Sequence, residues 1–321
     1  IKPRISYGVN GNIDVLSNFG VFGTYGKTTI YDTQAGYANN QLPLLDLKWE
    51  RSTTLNMGLD LGLFDNRVTV IGDYFIRDVE DKLANLTLPL WTGFSAITTN
   101  NGTLRNKGLE LQVNADVVKS GDFNWNVGLT YYSVRNFAHK LPDNGVDKNR
   151  QGGTEIYDPA TGETKYVGGL QEGERVGYDV ITAYVFDGVY QTQADIDEHD
   201  GRVVEFAVQK DTRFLGDTRW KDLNGDNVIN YLDRQVIGRR TPDFTGGLTS
   251  DFSYKNFNLF VKTDFTVGHM IINGRRVKGI AQTQGNQNGP LEIRDSWTPE
   301  NPTSNVPIFT LVDRQRNHLA A

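Results

Sequence analysis

The sequence predicts an all-β fold of antiparallel hairpins, an antiparallel transmembrane β-barrel ahead of a soluble β-sandwich. Three observations predict it. Apolar and polar residues alternate over runs of about eleven residues. Such a run crosses a bilayer when tilted, whereas a typical soluble strand has ~5–6 residues. The runs come in pairs joined by tight turns, and long irregular segments separate the pairs. Tight turns at one end with long extracellular loops at the other are the asymmetry of a membrane barrel, while a sandwich has moderate connections at both ends. Finally, hydrophobic residues make up 38% of the 321-residue chain, mean hydropathy is -0.46, and no apolar run reaches the ~18 residues of a spanning helix. Alternating strands average to just such a polar composition.

Taken in order, Arg4 to Val9 reads as a short strand and Asn10-Gly11-Asn12 as a turn. Ile13 to Leu42, rich in Gly, Asn, Thr and Tyr, reads as a long loop with some extended structure. Trp49 leads into the first hairpin, where its indole is either an interfacial anchor or ordinary core packing, the second being the commoner use. From Thr53 to Ile76, Leu55, Met57, Leu59, Leu61 and Leu63 share one parity, and Asn56, Gly58, Asp60 and Gly62 the other. Asp65-Asn66 suits a two-residue turn because both residues tolerate positive φ. Val68, Val70, Tyr74 and Ile76 then continue the apolar parity.

Val79 to Leu104, with Pro89, Gly93 and Asn100-Asn101-Gly102, reads as a second long loop. A second hairpin follows. Leu109, Leu111, Val113, Ala115 and Val117 alternate with Glu110, Gln112, Asn114 and Asp116, Ser120-Gly121-Asp122 turns the chain, and Phe123 to Tyr132 return it. Phe137 to Arg240 reads as long, charged and irregular, with extended pieces near Val180 to Tyr190 and a solvated acidic run at Asp195 to Asp200. Phe244 to Val267, turning at Lys255-Asn256, is the third hairpin, and Trp297 to Pro302 is a proline-bounded turn. On the barrel reading Leu55, Leu59, Leu111, Val113, Leu129 and Val261 face lipid, and Asn56, Asp60, Glu110, Gln112, Asn126 and Asp264 face a hydrated lumen.

Composition narrows the chemistry. The absence of cysteine removes disulfides and thiolate sites, and a net charge of -6 gives no reason to expect nucleic acid. The chain opens on Ile1 without a signal peptide and ends without a closing strand pattern, so a mature fragment is expected. His139, His199, His269 and His318 are scattered, and no nucleophile triad, phosphate loop or zinc spacing stands out. Asp60, Glu110, Asp116 and Asp264 would pair as glycosidase carboxylates only if the strands aligned them. The expectation is no enzyme activity. The sharpest local pattern is Asp222 to Asp233, which puts side-chain oxygens at Asp222, Asn224, Asp226, Asn230 and Asp233 and a backbone carbonyl at Val228. This is the spacing of a calcium loop, which wraps hard oxygen ligands around the ion in a tight turn. Asn227 stands where such loops carry Gly, and Asp233 where they carry Glu. The competing reading is a turn-rich loop whose Asp and Asn oxygens serve its own N–H groups. No cofactor is required, and calcium is the structural ion this loop would hold.

Several segments, in order, resemble one family. They are ISYGVNGN, DLKWERSTTLNMGLDLGLFDNRV, DYFIRDVEDKL, NKGLELQVNA, FNWNVGLTYY, DLNGDNVINYLDRQVIGRRTPDFTGGL, YKNFNLFV and WTPENPTSNVP. Together they are similar to the C-terminal barrel portion of SusC/RagA-type TonB-dependent transporters of the Bacteroidetes outer membrane. The resemblance implies that residues 1–321 are part of a barrel of about 22 strands, with the plug domain and closing strands not present. It implies import of nutrients, oligosaccharides or peptides, energised by the TonB complex through the missing N-terminal region. It also implies a SusD-like surface lipoprotein as partner and contact with membrane lipid. No substrate-binding residue carries over. The alternative is a soluble β-sandwich that binds carbohydrate, with Trp91, Tyr184 and Tyr190 as stacking platforms.

Overall fold

A computed structural model describes residues 1–12, 19, 21–31, 34–279 and 289–310. The chain divides into two units. The first comprises Ile1–Gly152, Gly169–Tyr178 and Thr241–Gly268, and the second Gly153–Gly168, Asp179–Arg240 and His269–Ala321.

The first unit holds β1 (Lys2–Asn12), β2 (Thr24–Tyr31), β3 (Gln34–Gln41), β4 (Glu50–Leu63), β5 (Val68–Thr87), β6 (Ala96–Ser120) and β7 (Phe123–Lys140). The second holds β8 (Thr154–Asp158), β9 (Glu163–Val167), β10 (Val180–Tyr184), β11 (Phe186–Val189), α1 (Gln193–Glu198), β12 (Val203–Val204), β13 (Thr218–Trp220), β14 (Val228–Ile229) and β15 (Arg234–Arg239). The chain then returns to the first unit with β16 (Phe244–Tyr254) and β17 (Phe257–Val267). Seven strands form one sheet in the order β1-β4-β5-β6-β7-β16-β17, antiparallel throughout.

Register decides how this sheet meets its surroundings. Ile5 pairs with Met57, Leu59 with Gly72, Gly72 with Leu111, Leu111 with Tyr131, Tyr131 with Gly246, and Gly246 with Phe265. Paired residues share a face, so the apolar parities of all seven strands coincide. Leu55, Leu59, Leu111, Val113, Leu129 and Val261 lie on that face, and Asn56, Asp60, Glu110, Gln112, Asn126 and Asp264 on the other. The apolar face is not a protein core, since Leu59 is 41% exposed and Val261 46%. Among the described residues, Ala138 is the sheet's sole contribution to the buried apolar set, most of which lies in the second unit. A sandwich would bury one face of the sheet. An apolar face this broad, open on a polar-backed sheet, is built for hydrocarbon.

Several sequence expectations need correction. Val79 to Leu104 is not a loop. β5 runs on to Thr87 and β6 begins at Ala96, leaving a connection of Leu88 to Ser95. Register shifts between Val79 and Ala84 break the parity, so period-two reading lost the strands there. The first hairpin turns over Phe64 to Arg67, with positive φ at Phe64, Asp65 and Asn66, not over two residues. Val117 sits where register shifts between Asp116 and Val118, so it leaves the alternation of its strand. Trp49 is 65% exposed, which rules out core packing, and its ring lies against Gly11. The loop expected over Ile13 to Leu42 contains the β2–β3 hairpin; residues 13–18, 20 and 32–33 of it, and the chain end after Thr310, lie outside the described residues. Phe137 to Arg240 is organised rather than irregular, through strands of two to six residues too short to show a period.

Candidate functional site

Two places concentrate polar chemistry. The first is the polar face of the sheet. Arg4 extends from β1 across Gly58 of β4. Its Nε donates to Asp60 Oδ1 at 2.9 Å and its Nη2 to Asp73 Oδ2 at 2.8 Å. Gly58 permits this, because a Cβ there would come 2.8 Å from Arg4 Cζ. One guanidinium thus ties β1, β4 and β5, and a planar fork suits two carboxylates. Asp73 Oδ1 and Asn56 Oδ1 are shielded without a hydrogen-bond partner, so the patch can accept a further donor. Asp60, Glu110, Asp116 and Asp264 do not pair with one another. Asp116 accepts from Asn126 Nδ2 at 3.0 Å, Asp264 lies 3.3 Å from Lys262 Nζ, and Glu110 stands opposite Asp73.

The second place is the Asp222 to Asp233 loop, which follows core residue Trp220 and contains core residue Ile229; both cluster with Val204 and Ala207. Asp222 accepts from Gly225 N at 2.7 Å and Asn227 N at 2.8 Å. Asn224 Oδ1 accepts from Asp226 N at 3.2 Å, and its Nδ2 donates to Asp226 Oδ2 at 2.9 Å. Asp226 Oδ1 accepts from Val228 N at 2.7 Å, and Asn230 Oδ1 from Leu232 N at 2.8 Å. Asp233, fully buried, accepts from Leu223 N at 2.8 Å and Asn230 N at 2.9 Å, closing the loop at both ends. Gly225 and Asn227 supply the positive φ, and Asn tolerates it where Gly is absent. Burial pushes the Asp233 carboxyl above the usual carboxylate range; the two backbone N–H groups oppose this, and the charges of Asp222 and Asp226 add to it. Among the described residues no three His, Cys, Asp or Glu side chains gather as a metal group. The loop's geometry is accounted for by its own hydrogen bonds.

The remaining residues singled out in the sequence disperse. Tyr184 stacks on Phe206 at 4.0 Å and Tyr190 is buried, so neither is a platform; Trp91 stands in solvent. His199 Nδ1 donates to Asp195 O at 2.8 Å and its ring packs edge-on to Tyr190, while His318 lies outside the described residues. The acidic run forms α1, with a capping box between Thr192 and Asp195. Sequence reasoning missed the Arg4 bridge, whose partners lie 56 and 69 residues away.

An antiparallel sheet with one exposed apolar face, one charged face and hairpins tight at one end defines a wall of a transmembrane β-barrel. The family described as "TonB dependent receptor-like, beta-barrel" matches residues 3–168, just over half of the chain, and the chain belongs to that family of outer-membrane proteins. It is 32% identical to TonB-dependent receptor P3 of Formosa agariphila over 95% of the chain and 29% of that protein. It is 28% identical to TonB-dependent receptor SusC of Bacteroides thetaiotaomicron over 80% of the chain and 24% of that protein. In fold it resembles a chain of the RagAB peptide transporter, with a TM-score of 0.64 and 21% identity over 96% of this chain and 31% of that one. The chain therefore spans under a third of the length of these relatives.

Proposed function

We propose that the chain is part of a TonB-dependent importer of the outer membrane that takes up oligosaccharides or peptides together with a SusD-like lipoprotein. The observation that carries this is the coincidence of seven apolar parities on one exposed face. Residues 1–321 are then the C-terminal part of the barrel wall, and the plug and TonB-contacting segments belong to other parts of the protein. The likeness to a chain of the RagAB peptide transporter supports the peptide class, and the oligosaccharide class rests on the resemblance to SusC-type transporters. The polar face would line the path of the cargo. Transport, not catalysis, is the activity proposed. The test is uptake of labelled glycans and peptides by cells carrying the full-length protein, with and without an energised TonB complex. Uptake of neither class, or uptake indifferent to TonB, overturns the reading.

For the Asp222 to Asp233 loop we propose calcium as a structural ion. Asp222 and Asp226 add to the cost of ionising Asp233, a repulsion that a divalent cation would offset. Asp226→Ala would then loosen Gly225 to Tyr231 and leave the barrel intact. If calcium chelation changes protease sensitivity there no more in the native protein than in the variant, the loop is a plain turn.

A further inference from the structure

We infer that Lys107 and Arg135, side by side at the rim of the lipid-facing surface, bind the phosphate of a lipid in the outer leaflet of the membrane. The inference goes beyond the importer reading, since it concerns the bilayer around the wall and holds for any cargo. β6 and β7 place the pair. Lys107 pairs with Arg135 across the two strands, and Ile76 and Leu55 continue the same row on β5 and β4. Paired residues share a face, so both cations stand on the surface that carries Leu109, Leu111 and Leu129, not on the lumen side.

Depth sets the pair at a headgroup. On β7 the outward parity reads Trp125, Val127, Leu129, Tyr131 and Ser133 before Arg135, and on β6 it reads Val113, Leu111 and Leu109 before Lys107. Trp125, stacked on Phe252 at 5.4 Å, marks the aromatic edge of the apolar band near the tight turns. Arg135 lies ten residues beyond it, roughly 34 Å of strand. At a strand tilt of ~35–45° that is about 24–28 Å of depth, the height of an apolar band. The pair therefore stands at the opposite rim, toward the end of the sheet from which the long β7–β16 connection departs. In a barrel with tight periplasmic turns, that is the extracellular end.

The sheet leaves the two charges unanswered. Like charges directly opposite each other on a sheet repel. Asp78, on the outward parity of β5, gives both oxygens to Arg105, with Nε to Oδ1 and Nη2 to Oδ2 both at 2.7 Å, and Glu80 is paired with Arg51. Among the described residues neither Lys107 nor Arg135 takes part in a salt bridge. Lys107 Nζ lies 5.6 Å from the centroid of the Phe137 ring. Phe137 pairs with Arg105, one outward position further from the apolar band, so the ammonium is carried toward the headgroups and away from the acyl chains. Arg135 is exposed. A phosphate fits, because a guanidinium fork grips two of its oxygens and an ammonium adds a point charge. Its negative charge also offsets the repulsion between the two cations. Face and depth select the source. An anion in the lumen does not meet this surface, whereas a lipid headgroup does.

The test uses the full-length protein, purified in detergent and freed of lipid, with native mass spectrometry to count bound lipid. The probe is lipid A, a phosphorylated glycolipid, presented with its phosphate and after enzymatic removal of it. At least tenfold tighter binding of the phosphorylated form supports the inference when it is lost in Lys107→Gln/Arg135→Gln and kept in Arg77→Gln/Lys262→Gln, which removes two charges from the lumen face. The two lipids are compared on the native protein, so that arm stands even where the double variant does not fold. Equal binding of the two lipids, or equal binding of the phosphorylated lipid by the native protein and Lys107→Gln/Arg135→Gln, overturns it. Inorganic phosphate held at the pair as tightly as the lipid marks a free-anion site and likewise overturns the lipid assignment. None of these outcomes depends on TonB-driven uptake, which tests the importer reading separately.

Discussion

Arg4 and Asp233 show how single residues bind distant chain together. Gly58 makes room for Arg4, whereas Gly8, on the same polar parity, has nothing within 4 Å of where a Cβ would stand. Gly58→Val should therefore cost about 1–3 kcal/mol, the usual range for overpacking, and Gly8→Val much less; urea unfolding in vesicles reads the difference. Equal losses would mean that Arg4 does not depend on the gap. Asp233 makes a prediction in pH. Its carboxyl is raised above the usual range by burial, so the fold disfavours its ionised form. Its contribution to stability should rise as pH falls through the raised value and level off below the unfolded value of about 3.9. Urea unfolding of the native protein, compared with Asp233→Asn, should show stability rising on acidification. A bound divalent cation would reverse that trend by favouring the charged form.

At the scale of the element, facing is the property to test. Leu59→Arg near the middle of the apolar band should cost about 2–4 kcal/mol, and Gln112→Arg on the opposite face far less. Cysteine labelling should find Leu59 accessible to lipid-phase probes; protection from them would contradict the barrel. This facing was legible in the sequence because each alternation is strict and the register preserves it. The same rule failed where the register shifts, at Val79 to Ala84 and at Asp116 to Val118. There the strands continue, but parity no longer reports them. The Asp222 to Asp233 loop was legible as a set of spaced oxygens, since its bonds are local. The Arg4 bridge was not, because nothing near Arg4 marks Asp60 or Asp73 as its partners. Nor was the small core around Trp220 and Ile229, whose members come from β12 and the turn that follows it, β13 and β14.

At the scale of the whole molecule, β1 and β17 are the outer members of the seven-stranded order, and among the described residues each has one side without a partner strand in that sheet. Unpaired strand edges are not tolerated in hydrocarbon and invite association in water. The isolated polypeptide of residues 1–321 should aggregate or fail to insert, and should gain a native fold when the rest of the barrel is supplied. A monodisperse, heat-stable, water-soluble product from these residues alone would count against the assignment.

The common parity of the seven strands makes this sheet behave toward insertions as a gene's reading frame does. Loss of one residue between Thr53 and Leu63 would turn every side chain beyond it over, sending Asp60 into hydrocarbon and leucines into water. Gain or loss within the tight turns, or in the segments between hairpins, leaves the frame of each strand untouched. The shift at Val117 obeys the same logic, since it falls within a few residues of the turn at Gly121 and little strand remains to be misread. Length variation during the descent of such proteins should accordingly collect in the connections, and the spanning runs should change by substitution alone.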